Sequence, residues 1–478
     1  MPSVGRRTFY AIDKLIDNIE TVAGSLTSAF HDQTIKIGVT GLAGAGKTVF
    51  ITSLVHNLLT KQRLPLFSPL VGGQIEAIML SPQNDQTIPR FALERHLDDL
   101  TAKNPGWPES TSQLSQIRVT IKYRPNQLVT RTLNSTRLLH LDFVDYPGEW
   151  LLDLPLMDMT FEDWCQQNQQ LLTSEPRQSY ATDWIKTCRQ VNASGRFDER
   201  TVERLAAQYR DFLLRCKNSE HRLSNLQPGR FILPGDMAGS PALTFSPLLD
   251  FQKQKGDDVW SYRRIMSDRF ESYKKKVVKP FFKEHFASLD RQFVLVDLLG
   301  AIEAGRSSVQ ELEETLDLVM QAYRPGKLSW LSSLLLGKRI SHLYFAASKA
   351  DLLPRDQQKK LTSLLSSFAR SKGDRSLYLG AQVAYSALAA VRATEAAEIQ
   401  QNGETYEAVI GQIKGEEGKS VLFPGDLPTD LRDLRNFEAG DFTLPKLTPP
   451  KLTAVDQNGI PHIGLDRALE FLLKDAFL

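Results

Sequence analysis

Glycine, lysine and threonine stand near the start of the chain at a spacing that suits phosphate binding. Residues 41–48 read GLAGAGKT and match the pattern G-x-x-x-x-G-K-[ST]. Glycines let successive backbone N–H groups turn toward one anion, and the helix that follows presents its N-terminus to the same anion. Lys47 can reach the β- and γ-phosphates of a nucleotide, and the hydroxyl of Thr48 can bind Mg²⁺. The residues we expect to contact the nucleotide in this loop are Gly41, Ala43, Gly44, Ala45, Gly46, Lys47, Thr48 and Val49.

A second candidate site lies where an aspartate and a glycine stand three residues apart after a β-rich run. Residues 137–144 are rich in leucine, phenylalanine and valine and predict a strand, which Asp145-Tyr-Pro-Gly148 follows. An aspartate at a strand end can organise the ligands of Mg²⁺. A glycine three residues later can offer its N–H to a γ-phosphate and move when that phosphate leaves. After a phosphate-binding loop, this D-x-x-G pattern predicts a metal-site role for Asp145 and a sensing role for Gly148.

The tetrapeptide SKAD, residues 348–351, follows a strand-like apolar run and offers a carboxylate suited to a purine base. Asp351 can accept hydrogen bonds from N1–H and N2–H₂ of guanine, whereas adenine offers no such pair of donors. The aliphatic part of Lys349 can lie along the base and ribose. The guanine-specificity motif is [NT]-K-x-D, so Ser348 is a mild departure. Taken alone the tetrapeptide is equally typical of an exposed helix cap, but downstream of the other two motifs it predicts guanine selection.

Strand-like and helical patterns alternate along much of the chain and would bring these loops to one edge of a sheet. The predicted strands are 34–41, 116–123, 137–144, 293–299, 342–347 and 382–385. The predicted helices are 47–60, 307–323, 355–371 and 464–478. The alternation predicts an α/β fold, with a mostly parallel sheet and helices on both faces.

Two segments break this alternation. Residues 149–286, which we call the helical segment, are charged and mainly helical in pattern and predict an α-helical insertion. Residues 397–459 are polar and end in a proline-rich stretch, which predicts a surface excursion. The remainder predicts one discontinuous domain formed by residues 34–148, 287–396 and 460–478, with an insertion at 61–114. Residues 1–33 hold an amphipathic helix, which we expect to pack on the protein rather than on a membrane because its polar face is acidic.

In this order and at strand ends, the motifs resemble those of the Ras-like P-loop GTPases. The phrases GWPEST (106–111), FVDYPGEW (143–150), LPGDMAGSPA (233–242) and SKAD are similar to the bacterial YcjX-like stress-protein family, over nearly the whole chain. The resemblance implies a Ras-like P-loop domain with large insertions, GTP or GDP with Mg²⁺ as ligands, and a stress-related role. Ser386 and Ala387 resemble the loop whose backbone N–H meets guanine O6, although Ala389 stands where lysine is usual.

The resemblance also implies a threonine that binds Mg²⁺ ahead of the strand paired with the D-x-x-G strand. Thr111 is the candidate for this switch I position, with Ser110 and Ser112 beside it. The alternative is a solvated turn before the strand.

Where Ras-like proteins often carry a glutamine that orients water, this chain has Glu149. A carboxylate is unfavourable beside a triphosphate, so we expect slow turnover that involves Lys47, Glu149 and Thr111. Arg90 and Arg95, both in the 61–114 insertion, are candidates for an arginine that stabilises the transition state.

The bulk composition is that of a soluble globular protein, with 41% hydrophobic and 24% charged residues among 478. The 58 basic and 56 acidic residues give a net charge of +2, which does not favour a nucleic-acid-binding protein. Three cysteines without a Cys-x-x-Cys pair predict reduced thiols and a cytoplasmic location. The first ten residues lack the apolar core of a signal peptide, and no long apolar run predicts a membrane span.

Three functions stay open on this basis. The first is a GTP-hydrolysing switch whose state is relayed to the helical segment, where a protein effector binds. The second is a nucleotide-stabilised scaffold with negligible turnover, whose helical segment is the interaction surface. The third is an ATPase or kinase built on the same loop, against which Asp351 argues.

Overall fold

A computed structural model describes most of the chain. The described residues are 32–42, 44–109, 113–125, 136–173, 175–249, 258–321, 323, 340–370, 380–401, 403–434, 437–438, 440–452 and 458–478. The predicted N-terminal helix, Ala43, and Thr111 with its two serine neighbours lie outside the described residues.

A mixed sheet of seven strands dominates the described residues, in the order β2-β3-β4-β1-β5-β6-β7. The strands are β1 (Gln33–Gly41), β2 (Ile75–Ser81), β3 (Ser115–Tyr123), β4 (Arg137–Asp145), β5 (Arg291–Val296), β6 (His342–Ala347) and β7 (Gln382–Ala387). The pairs β4–β1, β1–β5, β5–β6 and β6–β7 are parallel, and the pairs β2–β3 and β3–β4 are antiparallel. The mostly parallel sheet that the sequence predicts is therefore confirmed.

The parallel strands place the candidate loops at one edge of the sheet. Every residue of β5 and β6 is buried, as expected for central strands covered on both faces. Val39 in β1 stands beside Asp145 at the end of β4, and Ala347 at the end of β6 stands beside Ala387 at the end of β7. Since the carboxyl ends of parallel strands lie at a common edge, the three sequence motifs converge there.

Helices cover both faces of this sheet, as predicted. They are α1 (Lys47–Thr60), α2 (Ser68–Val71), α3 (Leu93–Thr101), α4 (Phe161–Leu171), α5 (Arg177–Tyr180), α6 (Thr182–Arg189), α7 (Glu199–Asn218), α8 (Gly229–Ile232), α9 (Tyr262–Tyr273), α10 (Lys279–Glu284), α11 (Leu298–Glu303), α12 (Arg306–Gln321), α13 (Arg355–Arg370), α14 (Leu431–Leu434) and α15 (Leu465–Leu473). On one face, α1, α15 and β1 contribute Leu54, Leu472 and Ile37 to one buried cluster.

The helical segment covers the opposite face. Its described residues include α4–α10, together with the short 3₁₀ helix Gly148–Asp153 that leads into it. One buried cluster joins Trp164 and Phe270 from this segment to Val294 in β5 and Phe345 in β6. The helical segment therefore shares its core with the sheet.

A second, three-stranded antiparallel sheet in the described residues lies late in the chain, largely where the polar composition predicts a surface excursion. It is formed by β8 (Thr394–Gln401), β9 (Glu404–Gly411) and β10 (Ser420–Leu422), in the order β10-β9-β8. The sequence pattern does not predict these strands or β2. Polar residues interrupt the pattern of β8 and β9, and the mostly apolar β2 lacks the alternation typical of a strand.

A buried ion pair ties β3 to β4, the strand that carries Asp145. Arg118 donates to both oxygens of Asp142, at 2.6 and 2.7 Å, and both side chains are nearly inaccessible to solvent. Removing one partner leaves an uncompensated buried charge, which is strongly destabilising.

We therefore expect Arg118→Met to lower the free energy of unfolding by about 3–5 kcal/mol, because Asp142 stays buried without its partner. Arg264→Met, in the exposed pair with Asp268, is the control and is expected to cost less than about 1 kcal/mol. Urea unfolding followed by fluorescence measures both, and recovery in the double variant Arg118→Met/Asp142→Leu separates the unpaired charge from lost packing. Equal effects of the two single variants would contradict the interpretation.

Candidate functional site

The loop between β1 and α1 is shaped for an anion. Gly44 and Gly46 have φ of 79° and 81°, in the left-handed region that favours glycine. The first turn of α1 carries no acidic residue, so its N-terminal N–H groups and helix dipole meet no competing negative charge there. Lys47 Nζ donates to the carbonyl of Gly41 at 2.6 Å. The lysine thus folds back over the loop, in the position from which an ammonium group can meet phosphates held by the loop.

The D-x-x-G segment lies directly against this loop. A Cβ added to Gly148 would stand 2.7 Å from the carbonyl carbon and oxygen of Gly41, so only glycine fits. Asp145, at the end of β4, and Thr48, in the first turn of α1, are 1% and 4% exposed. A carboxylate and a hydroxyl suit Mg²⁺, which proteins usually bind through one or two side chains together with phosphate oxygens. The donor set therefore fits the predicted metal role of these two residues.

The SKAD motif follows β6 and faces the loop. Lys349 has a φ of 61°, and its Nζ donates to Asp297 Oδ2 at 2.6 Å. Asp351 is 6% exposed and accepts a hydrogen bond from the backbone N–H of Ala393 at 2.9 Å. Burial raises the pKa of Asp351 to about 6, so at pH 7 the carboxyl group is mainly ionised and accepts hydrogen bonds.

A cavity of about 420 Å³, which we call the P-loop cavity, joins the loop to the SKAD motif. Of the predicted contacts, those that line it are Gly44, Ala45, Gly46, Val49, Ser348, Lys349 and Asp351. Its walls also include Trp107 and Pro108 from the 61–114 insertion and residues 444–447 from the late excursion. Trp107 Nε1 donates to the carbonyl of Leu447 at 2.8 Å, so these two distant segments close the cavity together.

The predicted contacts Ser386 and Ala387 do not line the P-loop cavity. β7 extends through Ala387, whose N–H is donated to the hydroxyl of Thr362 at 2.9 Å. The residues that do face the cavity are the next four, 388–391. The contact predicted at Ser386 and Ala387 therefore stays a prediction.

A second cavity, of about 390 Å³, lies on the other side of Gly44 and is called the Glu149 cavity here. Glu149 is 3% exposed, and its Oε1 lies 3.3 Å from Lys217 Nζ at the end of α7. Arg222 and Asp297 also line this cavity, and Arg222 lines the P-loop cavity as well. The helical segment therefore supplies two cations to the neighbourhood of the phosphate-binding loop.

The residues after Gly148 are buried beneath α8 and its flanks. A Cβ on Gly229 would stand 2.0 Å from the carbonyl oxygen of Glu149, and the Gly229 N–H donates to Asp153 Oδ1 at 2.7 Å. The guanidinium carbon of Arg230 lies 3.3 Å from the ring centroid of Trp150. Burial raises the pKa of Asp153 to about 6, against the hydrogen bonds from Gly229 and Tyr273. This backbone-level contact leaves the D-x-x-G segment little freedom to move without α8.

One family of known proteins matches this chain over most of its length. Residues 35–477 match the model of the YcjX-like family, DUF463. The chain belongs to the YcjX-like family. The resemblance that its motifs suggest is thereby confirmed over nearly its whole length.

Two relatives in this family are similar to the chain from end to end. The Ras-like GTPase YcjX of Shewanella oneidensis is 34% identical over 489 aligned residues, which cover 97% of this chain and 99% of that protein. The Ras-like GTPase YcjX of Escherichia coli strain K12 is 35% identical over 452 residues, covering 93% and 96%. The helical segment and the late excursion therefore lie within the region shared with these relatives.

The two arginines predicted from the 61–114 insertion take part in other contacts. Arg90 donates to Glu94 at 2.7 Å, and Arg95 lies 3.4 Å from Glu109 at an exposed site. Neither lines the P-loop cavity or the Glu149 cavity. Arg222 lines both cavities, but no motif in the sequence around it indicates a functional role.

The described part of the chain contains no helix that is long and apolar enough to cross a membrane.

Proposed function

We propose that this member of the YcjX-like family binds GTP and hydrolyses it to GDP with Mg²⁺, acting as a molecular switch. The observation that carries the proposal is the convergence of three elements at one edge of the sheet: the Lys47 loop, Gly148 against Gly41, and Asp351 in the wall of the P-loop cavity. The names of the two relatives support the same activity. A stress-related role in the cytoplasm is the cellular setting that the family resemblance and the reduced cysteines favour.

In this proposal the loop holds the phosphates. Its backbone N–H groups and Lys47 bind the triphosphate, and Gly148 donates its N–H to the γ-phosphate. Thr48 and Asp145 would hold Mg²⁺, with Thr111 as the predicted further ligand. When bound, the metal ion would supply positive charge to the phosphate oxygens.

Guanine is selected in the P-loop cavity. The ionised carboxylate of Asp351 accepts from N1–H and N2–H₂ of the base, and the stem of Lys349 lies along it. Adenine lacks this pair of donors, which argues against the ATPase or kinase alternative.

Glu149 is the candidate that orients the attacking water. Its carboxylate is buried near the loop and is partly balanced by Lys217, which reduces repulsion from the triphosphate. A buried carboxylate in this position still favours slow intrinsic turnover. If turnover is negligible, the scaffold alternative applies, and the helical segment is then the interaction surface.

The nucleotide state is relayed to the helical segment in this proposal. Gly148 moves when the γ-phosphate leaves, and Gly229 contacts the very next residue, Glu149. Because α8 shares a buried core with the rest of the helical segment, the shift changes the surface offered to a protein effector.

The hydrolysis proposal predicts that excess protein converts GTP to GDP in a single turnover, and that Lys47→Ala lowers the rate by about a hundredfold or more. The lysine is expected to stabilise charge that grows on the phosphates. Lys275→Ala, at an exposed position in the π-helical turn Lys274–Val278, is the matched control. GTP binding by the unaltered protein without hydrolysis would support the scaffold alternative instead.

The base assignment predicts that Asp351→Asn exchanges GDP for xanthosine diphosphate as the preferred ligand. The amide N–H₂ can donate to the carbonyl at C2 of xanthine but leaves a guanine donor unpaired, so GDP affinity falls by about tenfold or more. Asp356→Asn, on the exposed first turn of α13, is the control. Calorimetric titration with the two diphosphates and ADP measures the preference, and tight ADP binding by the unaltered protein would overturn guanine selection.

The relay predicts that limited tryptic cleavage of residues 149–286 differs between GDP and a non-hydrolysable GTP analogue. Gly148→Ala should give one pattern in both states, because its Cβ would clash with the Gly41 backbone. Gly106→Ala is the matched control, since a Cβ there meets nothing within 4 Å. Identical patterns for the unaltered protein in both states would contradict the relay.

A further inference from the structure

Arg222 has no role in the proposed function so far, although its position is unusual. It follows α7 in the helical segment, has a φ of 45°, and lines both the P-loop cavity and the Glu149 cavity. Non-glycine residues rarely adopt this backbone conformation, and such strain concentrates at functional sites. We propose that Arg222 is a catalytic residue, which the helical segment supplies from within the same chain to the phosphates of bound GTP. The inference rests on the proposed GTP hydrolysis.

The guanidinium lies close to the phosphate-binding loop. Arg222 Nη1 is 3.3 Å from Asp297 Oδ2, the oxygen that also accepts from Lys349. The same carboxylate oxygen would be 3.3 Å from a Cβ on Gly44. One carboxylate therefore separates the guanidinium from the loop glycine beside which the phosphates would bind.

The fold makes room for this side chain. A Cβ on Gly300 would stand 1.9 Å from Arg222 Nη1, so the guanidinium occupies a notch in α11 that only glycine leaves open. Arg222 Nη2 donates to Glu303 Oε2 at 2.9 Å, at the end of the same helix. The side chain is 40% exposed, so it is held near the site without being buried there.

The two carboxylates that hold Arg222 can release it without losing their other hydrogen bonds. Asp297 still accepts from Lys349 at 2.6 Å and from the N–H of Gly300 at 3.1 Å. Glu303 still accepts from the N–H of Leu444 at 2.9 Å. A triphosphate offers a larger negative charge than either carboxylate, so movement of the guanidinium toward bound GTP is favoured electrostatically.

Two buried arginines of the helical segment are held by other contacts. Arg177 is buried and pairs with Glu311 at 2.7 Å, and Arg230 lies over Trp150. Arg222 differs from both because it lines the P-loop cavity and the Glu149 cavity.

The chemistry asked of Arg222 is electrostatic. Water attacks the γ-phosphorus, a P–O bond to that water forms, and the bond between the γ-phosphorus and the β–γ bridging oxygen breaks. The electron pair passes to the bridging oxygen of GDP, and the water's proton leaves with phosphate or solvent. The guanidinium keeps its protons and binds the oxygens on which negative charge grows, as an arginine does in other phosphoryl-transfer sites.

The test compares Arg222→Ala and Arg222→Lys with Arg215→Ala, a control for an exposed arginine in the same segment. Single-turnover GTP hydrolysis is expected to fall by about 10²- to 10³-fold in Arg222→Ala, with Arg222→Lys intermediate and Arg215→Ala unchanged. GDP affinity, measured with a fluorescent GDP, should stay close to that of the unaltered protein in all three.

A second readout separates transition-state stabilisation from a structural role. With GDP, aluminium fluoride mimics the phosphoryl group in transfer and beryllium fluoride mimics the ground state. Arg222→Ala should lose the aluminium fluoride complex and keep the beryllium fluoride complex, whereas a misfolded site would lose both.

Three outcomes would overturn the role of Arg222. The first is that Arg222→Ala hydrolyses GTP at the rate of the unaltered protein. The second is that Arg222→Ala loses GDP affinity and hydrolysis to the same extent. The third is that the unaltered protein binds GDP but forms no aluminium fluoride complex. Failure of the proposed function is distinct, because it appears in the unaltered protein, which would then bind neither GTP nor GDP or would bind GTP without hydrolysing it.

Discussion

The contact between two backbones, at Gly148 and Gly41, is the constraint on which the rest of the site depends. A single added methyl group would stand 2.7 Å from the Gly41 carbonyl, so the D-x-x-G segment can lie against the phosphate-binding loop only without a side chain. The next residue, Glu149, is in turn pressed against Gly229 of the helical segment. The loop, the D-x-x-G segment and the helical segment are thereby in contact through main-chain atoms, which cannot adjust by changing rotamers.

Local sequence patterns predicted the parts of this arrangement that depend on local geometry. Gly44 and Gly46 are required by their positive φ, and the strands that end at Gly41, Asp145 and Ala347 are short apolar runs next to turn-forming residues. Such features are set by a few neighbouring residues, so one sequence suffices to find them. The α/β class followed from the same alternation of strands and helices.

The remaining parts of the site depend on contacts between distant segments. Trp107 meets Leu447 across 340 positions, and Arg222 meets Asp297 across 75, with no periodic signal at either end. The late sheet escaped prediction because polar residues interrupt the apolar pattern of β8 and β9. Chain position favours Arg90 and Arg95 as the arginines that stabilise the transition state. In the structure they pair instead with Glu94 and Glu109. Proximity in a folded chain is decided by packing of the whole, which residue spacing does not encode.

Closure of the P-loop cavity by Trp107 and residues 444–447 has a consequence for the order in which the protein is made. The phosphate-binding loop is synthesised before the opposite wall of the cavity, to which residues 444–447 contribute. Asn57 in α1 likewise depends on a residue that is synthesised much later. Its side-chain amide hydrogen-bonds to the N–H and the carbonyl of Ile460, at 2.7 and 2.9 Å. Contacts this distant in sequence form slowly because a long loop must close first. A nascent chain can therefore present the glycines of the loop long before the P-loop cavity can close.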